Sequence, residues 1–200
     1  MLFFSLCGTI FPGEFETFLT QGVHPKKQNY RRKEKLKNSK ILPIARGGMI
    51  AALYVALTYV SFLFGLSSGA IQLRLSEMLT VLPAFLPESI PGLYVGCLVA
   101  NLLTGGSIYD ILLGSLATLI GAIGARMLKR THPLLLTLPT VFANALIVPL
   151  VIILSAGGAE TFASFPYFFL TVGIGEFLSA GLLGTVAYGI IDKNKLLPRL

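Results

Sequence analysis

Charge is scarce in this chain. Asp, Glu, Lys and Arg make up 12% of its 200 residues, about half the share of an ordinary soluble domain. With 54% hydrophobic residues and a mean hydropathy of +0.77, that shortage excludes a water-soluble globule and points to a polytopic membrane protein. Cysteine is nearly missing too. Cys7 and Cys97 have neither metal-ligand spacing nor disulfide context, and Cys97 lies in an apolar run that marks it as a small core residue. The histidines, His24 and His132, both fall outside the expected bundle core. There is no Gly-x-Ser-x-Gly elbow, no His-Glu-x-x-His, no phosphate loop and no Cys/His cluster. No enzyme is therefore expected, and no cofactor or metal. A catalytic site would have to be built from Glu77, Asp110 and Glu176 alone. Without an ATP-binding motif, transport against a gradient must draw its energy from another chain or from an ion.

The charges that are present are unevenly placed. The net charge of +7 would fit nucleic acid, but no DNA- or RNA-binding signature accompanies it. Nine of the 16 Lys and Arg residues lie between Lys26 and Arg46, ahead of the first long apolar run. Most of the others fall in two clusters, Arg126-Lys129-Arg130 and Lys193-Lys195-Arg199. This is how basic residues mark the cytoplasmic side of a membrane protein. Residues 1–40 read as a poorly ordered basic extension or the product of an upstream start codon, and residues 41–192 as the membrane domain. Six apolar spans are expected, at 47–66, 71–86, 90–103, 108–127, 133–156 and 165–191, with kinks at Pro139 and Pro149. The second and third are short and could be fused. Charge decides for six, because both basic clusters then fall on the side of the N-terminal run, inside the cell membrane, with both termini cytoplasmic. A re-entrant hairpin over 71–103 would keep the same parity. The turn and loop acids Glu88 and Glu160 read as solvated.

The organising stretch is Ile71 to Pro83. It is apolar, yet it holds Arg74 and Glu77, which share a face at helical spacing. An ionisable group in hydrocarbon costs about 2.5–3.5 kcal/mol on insertion scales, so it needs a partner, a wet cavity or a ligand. With six spans, Gln72, Arg74 and Glu77 lie in the outer half of the second, Asn101 ends the third, and Asp110 opens the fourth on the outside. Asn144 is near the middle of the fifth. Glu176 lies about 15 Å into the sixth, near the midplane. This pattern implies a pocket open to the outside and closed below. Bland readings stand beside it: an Arg74 ion pair with Glu77 or Asp110, Asp110 beside a helix dipole, and Asn144 bonded between helices. Glu176 has no cation near it in sequence and carries the strongest functional signal. In the first span Gly48, Ala52 and Ala56 form a small-residue ridge along which another helix could approach closely.

Several of these stretches together resemble the QueT family: Ala51 to Thr58, Ile71 to Glu77, Pro91 to Cys97, and Asp110 with Gly114 to Leu119. The resemblance runs from about Ile44 to Ile191. It implies an all-α bundle of six transmembrane helices, the substrate-binding S-component of an energy-coupling factor transporter that takes up queuosine precursors. The expected partners are a transmembrane coupling subunit, met through Ala52 and Ala56, and two cytoplasmic ATPases. A 7-deazaguanine base presents a ring N–H and an amine to a carboxylate, which Glu77 or Glu176 could supply. Its carbonyl wants a donor from Gln72, Arg74, Asn101 or Asn144, and an aminomethyl form would want Asp110 as a second acid. The alternatives are an S-component for another vitamin or nucleobase, a small intramembrane enzyme using Glu77 and Asp110 as acid and base, and a structural bundle without a ligand.

Overall fold

The computed structural model describes residues 25–66, 72–156 and 162–197, with side chains from Ile41 onward. The expectations for residues 1–24, for Glu160 and for Arg199 lie outside the described residues. Among the described residues all regular structure is helical. Helix α1 (Pro25–Leu63) carries the basic run and continues into the first apolar span. A 3-10 helix (Leu75–Ala84) and α2 (Ser89–Leu103) follow. A π-helical turn (Asp110–Gly114) leads into α3 (Ser115–Met127). Next comes α4 (Pro133–Ser155), which continues as one helix through Pro139 and Pro149. The last helical region is α5 (Phe165–Glu176), a π segment (Phe177–Leu183) and α6 (Gly184–Lys193).

Among the described residues, four stretches are long and apolar enough to cross a membrane: Ile41–Leu63, Asp110–Met127, Pro133–Ser155 and Phe162–Lys193. The second and third expected spans are shorter. At 2.0 Å per residue in a 3-10 helix and 1.5 Å in an α-helix, they extend only about 20 and 22 Å against a hydrocarbon core of about 30 Å. The second span also departs from the expected α-helix. Arg74 precedes it in extended conformation (φ −110°, ψ 101°). The cause is lateral. Ser61 Oγ accepts the Leu75 N–H at 3.0 Å, Thr58 Oγ1 donates to Ser76 Oγ at 2.8 Å, and Tyr54 donates its hydroxyl to Glu77. Tyr54, Thr58 and Ser61 recur at helical spacing on one buried face of α1, and that stripe grips the segment residue by residue.

Close helix contacts rest on small residues, as they do where lipid removes the hydrophobic drive. A Cβ on Gly92 would fall 2.6 Å from the Gly47 carbonyl, and one on Gly96 would fall 2.9 Å from Tyr54 Cβ, so α1 and α2 nearly touch. Gly121 and Gly124 give α3 the same approach to Thr140 and Pro139 of α4. One end of the bundle is tied by polar contacts. Arg46 pairs with Glu88 at 2.9 Å, so Glu88 is partnered rather than solvated, because α1 brings a cation to the start of α2. Arg126 Nη1 donates to the carbonyls of Pro83 and Ala84 at 3.1 and 3.3 Å. Phe85 meets Tyr188 with ring centroids 4.9 Å apart. At the opposite end, Ser107 and Ser155 join α4 to the loop before α3, their hydroxyl oxygens 2.6 Å apart.

Candidate functional site

Glu77 is the centre of a buried polar cluster. Its side chain is 1% exposed. Oε1 accepts from Tyr54 of α1 and from Thr118 Oγ1 of α3 at 3.2 Å. Oε2 is buried without a hydrogen-bond partner. Thr118 Oγ1 also lies 3.4 Å from Cys97 Sγ, which Asn101 Nδ2 approaches at 3.5 Å. Asn101 is tied on both sides. Its Nδ2 donates to the Asp110 carbonyl at 2.9 Å, and its Oδ1 accepts from Arg74 Nη1 at 3.4 Å. α2, the π-helical turn before α3 and the segment before the 3-10 helix therefore meet at one side chain.

The second acid sits across the bundle. Glu176, 4% exposed, ends α5 where the helix turns π-helical. Its Oε2 accepts from Asn144 Nδ2 of α4 at 3.4 Å. Arg74 and Glu77 both lie within electrostatic reach of it. A glycine makes this proximity possible. A Cβ on Gly175 would fall on the Gln72 carbonyl, so only glycine lets the extended stretch from Gln72 to Arg74 lie against α5 beside Glu176. The fold thus places Arg74, Glu77, Asn101, Asn144 and Glu176 near one another, with Gln72 along the edge.

Asp110 is held differently. Its Oδ2 accepts from the backbone N–H and the hydroxyl of Ser107 at 3.1 and 2.8 Å. That carboxylate closes the turn that starts the π-helical entry to α3, and its backbone carbonyl is what reaches Asn101. Irregular winding marks the region as a whole. The 3-10 helix carries Glu77, and the two π-helical segments begin at Asp110 and directly after Glu176. Such departures from α geometry recur at functional sites.

Sequence reasoning passed over Tyr54 and Thr118, which hold Glu77, and over Ser115 Oγ and Thr140 Oγ1, which are buried without hydrogen-bond partners. The readable signal was the period of Tyr54, Thr58 and Ser61 along α1. The small-residue ridge lies on the other side of that helix. Gly48, Ala52 and Ala56 are exposed, and a Cβ on Gly48 would meet nothing within 4 Å. Among the described residues no three His, Cys, Asp or Glu side chains gather as a metal site. What the arrangement offers is a set of acceptors and donors: two carboxylates, one guanidinium, two amides and hydroxyls.

A family model described as QueT transporter matches residues 44–193. A relative named Queuosine precursor transporter QueT, from Lactococcus lactis subsp. cremoris (strain MG1363), is 38% identical over 85 residues. That stretch is 42% of this chain and 50% of the relative, so the match spans about half the length of that protein. No solved structure matches the chain.

Proposed function

The chain belongs to the QueT transporter family, and on that premise we propose that it is the substrate-binding subunit of an energy-coupling factor importer for a queuosine precursor. In this reading the bundle crosses the cell membrane six times with both termini cytoplasmic. It takes a 7-deazaguanine base from outside and delivers it with a transmembrane coupling subunit and two cytoplasmic ATPases. The observation that carries the reading is the convergence of Arg74, Glu77 and Glu176, far apart in sequence, with Asn101 and Asn144 beside them. The name of the Lactococcus relative supports the substrate class.

Among the described residues Glu176 is hydrogen-bonded by Asn144 at 3.4 Å, a long contact that leaves it able to accept the ring N–H and exocyclic amine of a guanine-like base. The unpartnered Oε2 of Glu77 is a second acceptor. Arg74 and the amide of Asn144 are donors for the ring carbonyl. An analogue without these groups would leave buried polar atoms unpaired, which is a strong basis for rejection. The exposed ridge of Gly48, Ala52 and Ala56 supports a role in meeting the coupling subunit, since a partner helix could approach there without steric conflict.

Titration of the detergent-purified protein with 7-aminomethyl-7-deazaguanine tests the reading. Saturable binding is expected, with riboflavin, biotin and thiamine failing to compete. Tighter binding of one of those competitors, or chemical turnover of the base, would overturn it. Ala52→Leu with Ala56→Leu should keep ligand binding and lose co-purification with the coupling subunit.

A further inference from the structure

The tied end of the bundle also contains a cleft of about 530 Å³ between the end of the 3-10 helix, the α3–α4 connection and α6. Its walls are Ala84, Phe85, Lys129, Arg130, Thr131, Pro133, Tyr188 and Asp192, none of which belongs to the polar cluster around Glu77 and Glu176. Two cations face one acid, so the cleft is net positive. Pro133 is the first residue of the 23-residue α4, so the positive end of that helix dipole adds to the field. The inner wall is apolar and aromatic, formed by Phe85 against Tyr188 at 4.9 Å. Met127 and Leu135, which flank the basic connection in sequence, are 79% and 48% exposed, as side chains facing acyl chains would be.

We infer that this cleft seats the headgroup of an anionic phospholipid. Lys129 and Arg130 would hold the phosphodiester, the half-buried ring of Tyr188, backed by the buried Phe85, would take the glycerol and first methylenes, and the exposed apolar flanks would meet the chains. Basic recesses between transmembrane helices on the positive side of a membrane protein recognise such headgroups. A free phosphate would use the cations but leave the aromatic wall idle, and for that reason the lipid is the assigned occupant.

The test is native mass spectrometry of the full-length protein, titrated with phosphatidylglycerol or phosphatidylcholine of identical acyl chains. Phosphatidylglycerol should be retained in preference, and Lys129→Gln with Arg130→Gln should weaken its retention by about thirtyfold, the effect of removing two basic side chains near a membrane surface. Arg130→Gln alone, on an exposed side chain, should give about fivefold on the same scale. Lys193→Gln with Lys195→Gln removes equal charge from exposed positions outside the cleft walls and should leave retention nearly unchanged. Equal loss in that control, equal retention of the two lipids, or displacement of phosphatidylglycerol by glycerol 3-phosphate at equal concentration would overturn the assignment.

Discussion

Glu77 and Glu176 are the same residue type and are both buried, yet the protein treats them differently. Glu77 is gripped from two helices, with Tyr54 and Thr118 both donating to Oε1. Its own main-chain carbonyl accepts the Thr80 hydroxyl at 2.6 Å. Glu176 has Asn144 at 3.4 Å as its hydrogen-bonding neighbour and stands where α5 loosens into a π segment. Burying a carboxylate is tolerable only when the charge is paired and hydrogen-bonded. One oxygen of Glu77 is held by two donors while the other is left unpartnered, whereas Glu176 is met by the Asn144 amide at 3.4 Å. The lesson is a division of labour: Glu77 joins two helices to the 3-10 segment, and Glu176 stands at a looser point of the bundle.

That division is open to direct attack. The largest effect is expected from Glu176→Gln, which should weaken 7-deazaguanine binding by about a hundredfold, the worth of a strong charge-assisted hydrogen bond, while thermal unfolding shifts little. Glu77→Gln should do the reverse, lowering the unfolding temperature more than the affinity; equal changes in both readouts for both variants would erase the distinction. Gly175→Ala comes next. Its methyl group would displace the Gln72 backbone, at about 1–3 kcal/mol of overpacking, and should weaken binding and stability together by pulling Arg74 away from Glu176. Tyr54→Phe removes a donor from a buried carboxylate and should destabilise the fold by about 2 kcal/mol, seen as an earlier melt in detergent. Thr118→Val should cost about 1 kcal/mol, because Tyr54 still serves the same oxygen; if it melts earlier than Tyr54→Phe, the order of the two donors is reversed.

Much of the polar cluster was readable because ionisable and amide side chains stand out against an apolar background. Arg74, Glu77, Asn101, Asn144 and Glu176 were each visible for that reason. Hydroxyls do not stand out in this way. Tyr54, Thr58, Ser61 and Thr118 are ordinary in membrane helices, and only their alignment opposite a second segment shows their role. The winding of Leu75–Ala84 was hidden for a related cause. Its composition suits an α-helix, and the tighter 3-10 form arises from hydrogen bonds supplied by α1. Glu88 was misread because its partner Arg46 lies 42 residues away, a distance that only the fold closes. The short lengths of the second and third spans were legible, but the number of segments long enough to cross was not, since that depends on rise per residue.

The two faces of α1 have a mechanical implication. Its inward hydroxyls clasp the strip bearing Glu77, and its outward ridge lies open. A rod held along one flank and pushed along the other turns as a crank. Any body that settles on the open flank would press on the same helix that clasps the strip bearing Glu77.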